Sequence, residues 1–287
     1  MGTNEYRRIA LTEWRQMGEG GNGKTYENLS CPDQMLKVNN ERSNDLASVK
    51  QEFDVSKAVE RLGLPTPRMF EIVRVGDGYA TICERIREKK SLSRICHDAP
   101  ERTEEMGALL AKLGKELSAT PCDTEFFPNR REQALRAVGK ATFVRRKNRA
   151  VLRAVIETIP EDTHCSHGDF QPGNVILSEG KCYWIDLGRF ACGDPLFDIG
   201  HLYQICNIYA PMKRVQDLFH MSEEQFHRFW DAFAREYTGL EDHKDFDRLA
   251  GKYAAVDVVL RTIFLNPSFA ERLFFRYQIR KLVKQFF

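Results

Sequence analysis

The sequence has no long hydrophobic run. Nowhere does it approach the roughly 18 successive apolar residues that mark a membrane-spanning helix, and its opening stretch, MGTNEYRRIALTEW, lacks the apolar region of a secretory signal. Tyr6 also breaks the pattern for N-myristoylation. The expectation is a cytoplasmic protein without a membrane partner. Strong charge of one sign is missing as well: the formal net charge is +2, too mild for the concentrated basic face that nucleic acid demands, so no nucleic-acid partner is expected. The eight cysteines include no C-x-x-C pair, which argues for reduced thiols rather than a disulfide framework or a zinc site. His164 and His167 flank Cys165, but no second cluster completes a metal site. Internal repeats and low-complexity segments are absent. What remains is ordinary globular composition, 29 % charged and 42 % hydrophobic, in 287 residues, a length that suits about two domains.

Glycine is concentrated in one place, WRQMGEGGNGKTYENLS, residues 14–30. Gly18, Gly23, Lys24 and Thr25 fit the P-loop pattern, and Gly18, Gly20 and Gly23 fit G-x-G-x-x-G, which serves dinucleotide-binding folds and kinase phosphate-covering loops alike. All three use glycine because a backbone without Cβ can close its N–H groups on a phosphate. The residues after the loop decide between them. KTYEN and MLKVN read as short strands separated by LSCPDQ, and Pro32 comes too soon for the helix that the P-loop and the dinucleotide fold both require.

The first helix is predicted from about Ser43, as its cap, to Leu62, where Gly63 and Pro65 stop it. MFEIVRVGDGYATICERI then reads as two strands around a Gly76-Asp77-Gly78 turn. From Ser91 the texture turns helical, with RTEEMGALLAKLGKEL the clearest amphipathic segment. The change falls near Glu84 to Lys90. It divides the chain into an N-terminal nucleotide-binding lobe, 1–84, and a catalytic and substrate-binding lobe, 85–287.

The richest chemistry lies in HCSHGDFQPGNVILSEGKCYWIDLGRFACGDPLFDIGHL, residues 164–202. Two apolar runs around SEGK predict a hairpin turning at about Gly180, with Asn174 and Asp186 at its open end, close enough as cross-strand partners for two oxygen ligands to hold magnesium. Asp169 lies five residues before Asn174 on a Gly/Pro-rich loop. His167, Asp169 and Asn174 have the H-x-D-x-x-x-x-N spacing of a kinase catalytic loop, followed by D-x-G at Asp186-Leu187-Gly188.

With SHGDFQPGN, WIDLGR and GDPLFDIG in place, the chain resembles the aminoglycoside phosphotransferase and choline kinase group of small-molecule kinases from the glycine loop to about Leu202. The resemblance implies an α+β, bilobal, protein-kinase-like fold: a small N-terminal antiparallel sheet with one helix, and a larger, mostly helical C-terminal lobe. It implies ATP, with GTP as the alternative, and magnesium as cofactors, and a small-molecule hydroxyl as acceptor. Residue by residue, it makes Asp169 the catalytic base and Asn174 and Asp186 the metal ligands. Lys37 becomes the lysine on the α- and β-phosphates, and Gly20, Gly21, Asn22 and Gly23 the phosphate cradle. Glu84 and Ile86 become the backbone contacts to adenine. Periodicity leaves Glu52 and Glu60 equal as partners of Lys37, and the family pattern favours Glu52. His167 and Asp198 are expected to support the loop.

Two rivals have distinct signatures. A protein kinase needs a long activation segment, yet only eleven residues separate Asp186 from Asp198 and no A-P-E follows. A catalytically silent nucleotide-binding scaffold usually lacks the base or a metal ligand, and both are present here. Arg272, Arg276, Arg280 and Lys284 form a basic stripe on a terminal helix, read as the solvated face of a packed helix in preference to a membrane-surface one. The acid-rich segment 222–247 is a candidate face for a polycationic acceptor. No motif selects one acceptor among aminoglycosides, amino alcohols, sugars and amino acids, nor an oligomeric state.

Overall fold

The computed structural model describes residues 6–20, 23–40, 43–265 and 267–287. They form two compact units, Met1–Lys90 with Ile176–Gly188, and Ser91–Val175 with Arg189–Phe287.

The first unit is a five-stranded sheet, β1 (Trp14–Gly20), β2 (Gly23–Asn28), β3 (Gln34–Asn39), β4 (Met69–Val75) and β5 (Gly78–Glu84), with α1 (Leu46–Arg61) between β3 and β4. Its spatial order is β1-β2-β3-β5-β4, every neighbour antiparallel. Alternation along β3 sorts side chains by face. Leu36 is fully buried with Trp14, Tyr26, Val73, Ala80 and Ile82, and truncating such a residue to alanine typically costs about 2–5 kcal/mol. Met35 takes the opposite face with Met69, Cys83 and Phe53 of α1, so Lys37, two residues on from Met35, points to that face too. The helix starts later than Ser43. Asp45 is its cap, accepting the Ser48 N–H at 3.0 Å, while the Ser43 hydroxyl reaches back to the Asn40 carbonyl. Val175–Ser178 and Lys181–Trp184 form a hairpin whose two-residue loop, Glu179 at φ 48° and Gly180 at φ 78°, has the positive angles of a tight hairpin turn.

The second unit is built from α2 (Leu92–Asp98), α3 (Thr103–Ala119), α4 (Arg130–Lys140), α5 (Arg146–Thr158), α6 (Leu196–Tyr203), α7 (Lys213–Phe219), α8 (Glu223–Thr238), α9 (Lys244–Leu260) and α10 (Phe269–Phe286). A π-helical stretch, Gln204–Tyr209, extends α6. Helix α3 packs on α8, and α9 packs on both α6 and α10, around buried rings that include Phe170, Phe226, Phe229 and Phe233. On α10 the basic stripe is exposed, while Ile279, Leu282 and Phe286 are buried. Among the described residues no helix is long and apolar enough to cross a membrane.

One expectation is corrected. Cys122 and Cys192 form a disulfide, 70 residues apart in sequence with Cα atoms at 5.7 Å, a separation suited to the bond. The cause is tertiary. Cys192 lies on a strand paired with Cys165–Ser166, and the Cys122 N–H bonds to the Thr163 carbonyl, so both cysteines flank the same segment.

Candidate active site

In the first unit a cavity of about 210 Å³ is lined by Thr25, Met35, Cys83, Lys37, Glu52 and Asp186, among others. The Lys37 ammonium is ion-paired with Glu52 and lies 3.7 Å from Asp186 Oδ1. Asn39 Nδ2 donates to the second Glu52 oxygen at 3.2 Å. Burial pushes the Lys37 pKa down, but the two carboxylates more than offset this and hold it above its usual value. Glu60 is turned away, paired at 3.7 Å with Lys57 on its own helix. Asp186 adopts φ 57°, a left-handed backbone that a residue other than glycine seldom takes and that clusters at functional sites.

The glycine loop joins β1 to β2 as a hairpin, with Gly20 paired to Gly23. Gly23 sits at φ 146°, and a Cβ there would collide with the Val38 carbonyl. Gly21 and Asn22 lie outside the described residues. Lys24 is exposed on β2, opposite Glu19 and Val38. A strand, not a helix, therefore succeeds the glycines, which removes the P-loop and dinucleotide-fold readings. Glu84 ends β5, its N–H donated to the Arg68 carbonyl and its carboxylate bonded to Arg68. Ile86, two residues on, is buried and lines a separate, wider cavity of about 700 Å³ with Arg15, Met17 and Arg85.

In the second unit the loop around Asp169 is fixed from below. Asp198 accepts the backbone N–H of His167 at 2.7 Å and of Gly168 at 2.8 Å, and the Asp169 N–H reaches His167 Nδ1 at 3.3 Å. Gly168 is at φ 78° against the Arg130 side chain and the Arg189 carbonyl, leaving no room for a Cβ. Asn174 Nδ2 donates to the Asp169 carbonyl at 2.9 Å and to its carboxylate at 3.2 Å.

Three basic side chains surround the Asp169 carboxylate: His201 Nε2 at 3.1 Å, Arg189 Nη1 at 3.4 Å and Arg261 Nη2 at 4.0 Å from Oδ1. Burial alone would raise the Asp169 pKa, yet His201, Arg189 and Arg261 hold it well below the usual carboxylate range. Asp257 supports His201 from the far side, Oδ2 to Nδ1 at 2.9 Å. The sequence motifs assign no role to His201, Asp257, Arg189 or Arg261. Arg189 and His201 stand inside the motif-rich stretch, whereas Asp257 and Arg261 come from α9 and its C-terminal cap.

The acid-rich segment lies apart from this site. Asp231 pairs with Arg235 and His243, Asp247 with His243, and Asp242 with Lys244. None of them lines the cavity that opens beside Asp169. Among the described residues no group of three or more His, Cys, Asp or Glu side chains is arranged to hold a metal ion.

A lysine of an antiparallel sheet set between a glutamate of α1 and an aspartate after the hairpin, and a braced Asp/Asn loop in a helical unit, belong to the protein-kinase-like fold of small phosphotransferases. The sequence matches the model of the phosphotransferase enzyme family over residues 15–247, and the chain belongs to that family. No curated protein matches the sequence significantly. Among solved structures it is similar to a thermostable mutant of aminoglycoside phosphotransferase APH(4)-Ia in ternary complex with AMP-PNP and hygromycin B, with TM-score 0.61 and 15 % identity over 95 % of this chain and 93 % of that one. It is also similar to a GDP complex of a mutant aminoglycoside 2'-phosphotransferase IIIa, with TM-score 0.56 and 16 % identity over 97 % and 91 %. A third similar structure is a choline/ethanolamine kinase family protein from Mesorhizobium loti, with TM-score 0.52 and 14 % identity over 94 % and 87 %.

Proposed function

We propose that this chain transfers the γ-phosphoryl group of ATP, with GTP as the alternative donor, to a hydroxyl of a small molecule in a magnesium-dependent reaction. The observation that carries the reading is Lys37, kept charged between Glu52 and Asp186 on the wall of a cavity whose apolar lining includes Met35, Met69 and Cys83. Such an ammonium suits the α- and β-phosphates and the apolar wall suits a base, and the glycine loop is assigned to the phosphate oxygens. The Glu84–Ile86 backbone is assigned to the edge of the adenine.

Magnesium is commonly bound by one or two carboxylates together with substrate phosphates, so a protein need not supply a full cage. The Asp186 carboxylate and the Asn174 amide are assigned to it. Asn174 already commits its Nδ2 to Asp169, which leaves its oxygen as the ligating atom. When bound, the ion offsets phosphate charge.

Asp169 stays a carboxylate at any working pH, because its pKa is lowered. Its task is to accept a hydrogen bond from the acceptor hydroxyl and align that oxygen with the γ-phosphorus. In the loose transition state of phosphoryl transfer, positioning contributes more than early proton removal. The oxygen–phosphorus bond to the acceptor forms as the bond to the β-phosphate bridging oxygen breaks, and the hydroxyl proton passes to Asp169. The test is ADP formation with amino alcohols, sugars and aminoglycosides, with and without magnesium. Acceptor-dependent, magnesium-dependent ADP release is expected. Tight nucleotide binding with no turnover of any acceptor would favour a silent scaffold instead.

A further inference from the structure

A cavity of about 320 Å³ opens beside Asp169 within the second unit. Ile205 and Tyr209 of the π-helical stretch, Leu218 and Phe219 of α7, and Phe274 and Phe275 of α10 supply most of its wall. Among the described residues only Asp169, Gln171, His201 and Arg261 interrupt the apolar and aromatic lining, and Asp169 is the single acid among them. That acid faces two basic groups of the same wall, the Arg261 guanidinium at 4.0 Å and the His201 ring at 3.1 Å. The mouth is apolar too: Leu218 is 73 % exposed, and Met212, Leu265 and Phe274 are also open to solvent. Open apolar surface of this kind, contiguous with a concave site, marks a place where something apolar binds.

Resting on the assignment of Asp169 as the group that aligns the acceptor, we propose that the acceptor is a neutral alcohol carried on a compact apolar body, and neither a polycation nor a short amino alcohol. A hydroxyl at Asp169 puts the rest of the acceptor against Ile205, Tyr209, Leu218 and Phe274, where buried methylenes are favourable and a hydrated charge loses its water without a partner. Among the described residues of this wall a polycation meets no unmatched carboxylate, and Asp231, Asp242 and Asp247 are engaged elsewhere. The aromatic rings alone would accept a quaternary ammonium. In a choline-type alcohol, however, the cation is only two carbons from the hydroxyl, and so beside Arg261 and His201. That like-charge juxtaposition is the repulsive element which gives selectivity.

The test measures ADP release with straight-chain primary alcohols from ethanol to octanol, and with choline and hygromycin B, for the parent and for Leu218→Asp. The expected result is a kcat/KM that rises about fourfold per added methylene until the cavity is filled, with choline and hygromycin B below octanol. Leu218→Asp, a rim substitution at an exposed position, should cut the octanol value at least tenfold. A response flat in chain length, or preference for choline or hygromycin B, overturns the acceptor class while leaving phosphotransfer intact. If no compound releases ADP although nucleotide binds, phosphotransfer itself fails, and calorimetry of octanol binding in the presence of ADP decides the cavity's ligand. Octanol binding that Leu218→Asp weakens at least tenfold supports an apolar occupant, and no octanol binding overturns it.

Discussion

His201 Nε2 lies 3.1 Å from Asp169 Oδ1, and the opposite ring nitrogen lies 2.9 Å from Asp257 Oδ2, in a side chain that is 2 % exposed. Carboxylates on both sides of one buried imidazole favour its protonated form. Burial and Arg261 push the His201 pKa down, and the two carboxylates more than offset them, leaving it raised. The acceptor-aligning carboxylate and a second carboxylate from α9 thus both favour the charged form of this ring, and removing either one while the ring is charged leaves a buried charge less compensated.

This arrangement has a signature in stability against pH. The Asp169 pKa is lowered, so its contribution is complete above an unfolded value of about 3.9 and is lost only as pH falls through the lowered folded value. The His201 pKa is raised, so its contribution is complete below about 6.5 and is lost as pH rises through the raised folded value. Calorimetric Tm should therefore decline on the alkaline side above about pH 6.5 in the parent, and His201→Gln should lower Tm in the neutral range and abolish the part of the alkaline decline that His201 supplies. Parallel alkaline limbs in the two proteins would show that His201 is neutral.

Asp169→Asn should keep nucleotide binding and lower turnover by about 10²–10⁴-fold, the usual worth of a positioned proton-accepting group. The amide preserves the size of the side chain and the Asn174 contact, but faces His201, Arg189 and Arg261 without an anion to match them. Single-turnover kinetics with a working acceptor separate the chemical step from product release. Unchanged kcat would remove Asp169 from the reaction.

What the sequence reveals and what it hides divide along a physical line. The succession of strands and turns in the first unit is legible because glycine and proline punctuate it: Pro32, the Gly76-Asp77-Gly78 turn and the Glu179-Gly180 loop each fix a local reversal. The start of α1 is read too early because Ser43 and Asp45 are both competent caps, and only the backbone angles distinguish them. Lys37 and Glu52 are legible as candidates, but their pairing depends on how α1 packs against the sheet. Asp257 and Arg261 carry no motif at all. Their one signal is a lone acid in an otherwise apolar helical run from Tyr253 to Leu260, since a buried charge demands a partner. That the partner is His201 is a consequence of the packing of α6 on α9, which no local pattern records. The Cys122–Cys192 disulfide is hidden for the same reason.

Magnesium should tighten nucleotide binding through Asp186, and Asp186→Ala should largely abolish that dependence. Removing Asp186 also deprives Lys37 of the carboxylate at 3.7 Å, so nucleotide affinity without metal should change far less, or even rise, as Lys37 is released toward the phosphates. Titration calorimetry with and without magnesium reads both effects. An equal magnesium effect in parent and variant would mean that Asp186 is not a ligand.

The two lysines near the glycine loop give the sharpest division between phosphate-binding schemes. In a P-loop, Lys24 would grip the β- and γ-phosphates from a helix N-terminus. Here Lys24 is exposed on β2, in register with Glu19 and Val38, whereas Lys37 is enclosed between Glu52 and Asp186 on the wall of the cavity. Lys24→Ala should therefore cost less than about tenfold in kcat/KM, or roughly 1.4 kcal/mol of transition-state stabilisation. Lys37→Ala should cost well over a hundredfold, about 2.7 kcal/mol on the same scale, and should remove the cation paired with Glu52 while keeping its hydrogen bond from Asn39. Glu52→Gln should fall between them, because it keeps the hydrogen-bonding shape around Lys37 but removes the charge that raises its pKa. Nucleotide affinity and turnover measured side by side on the three variants check the order. A crippled Lys24→Ala beside a healthy Lys37→Ala would overturn the kinase-like assignment of the loop.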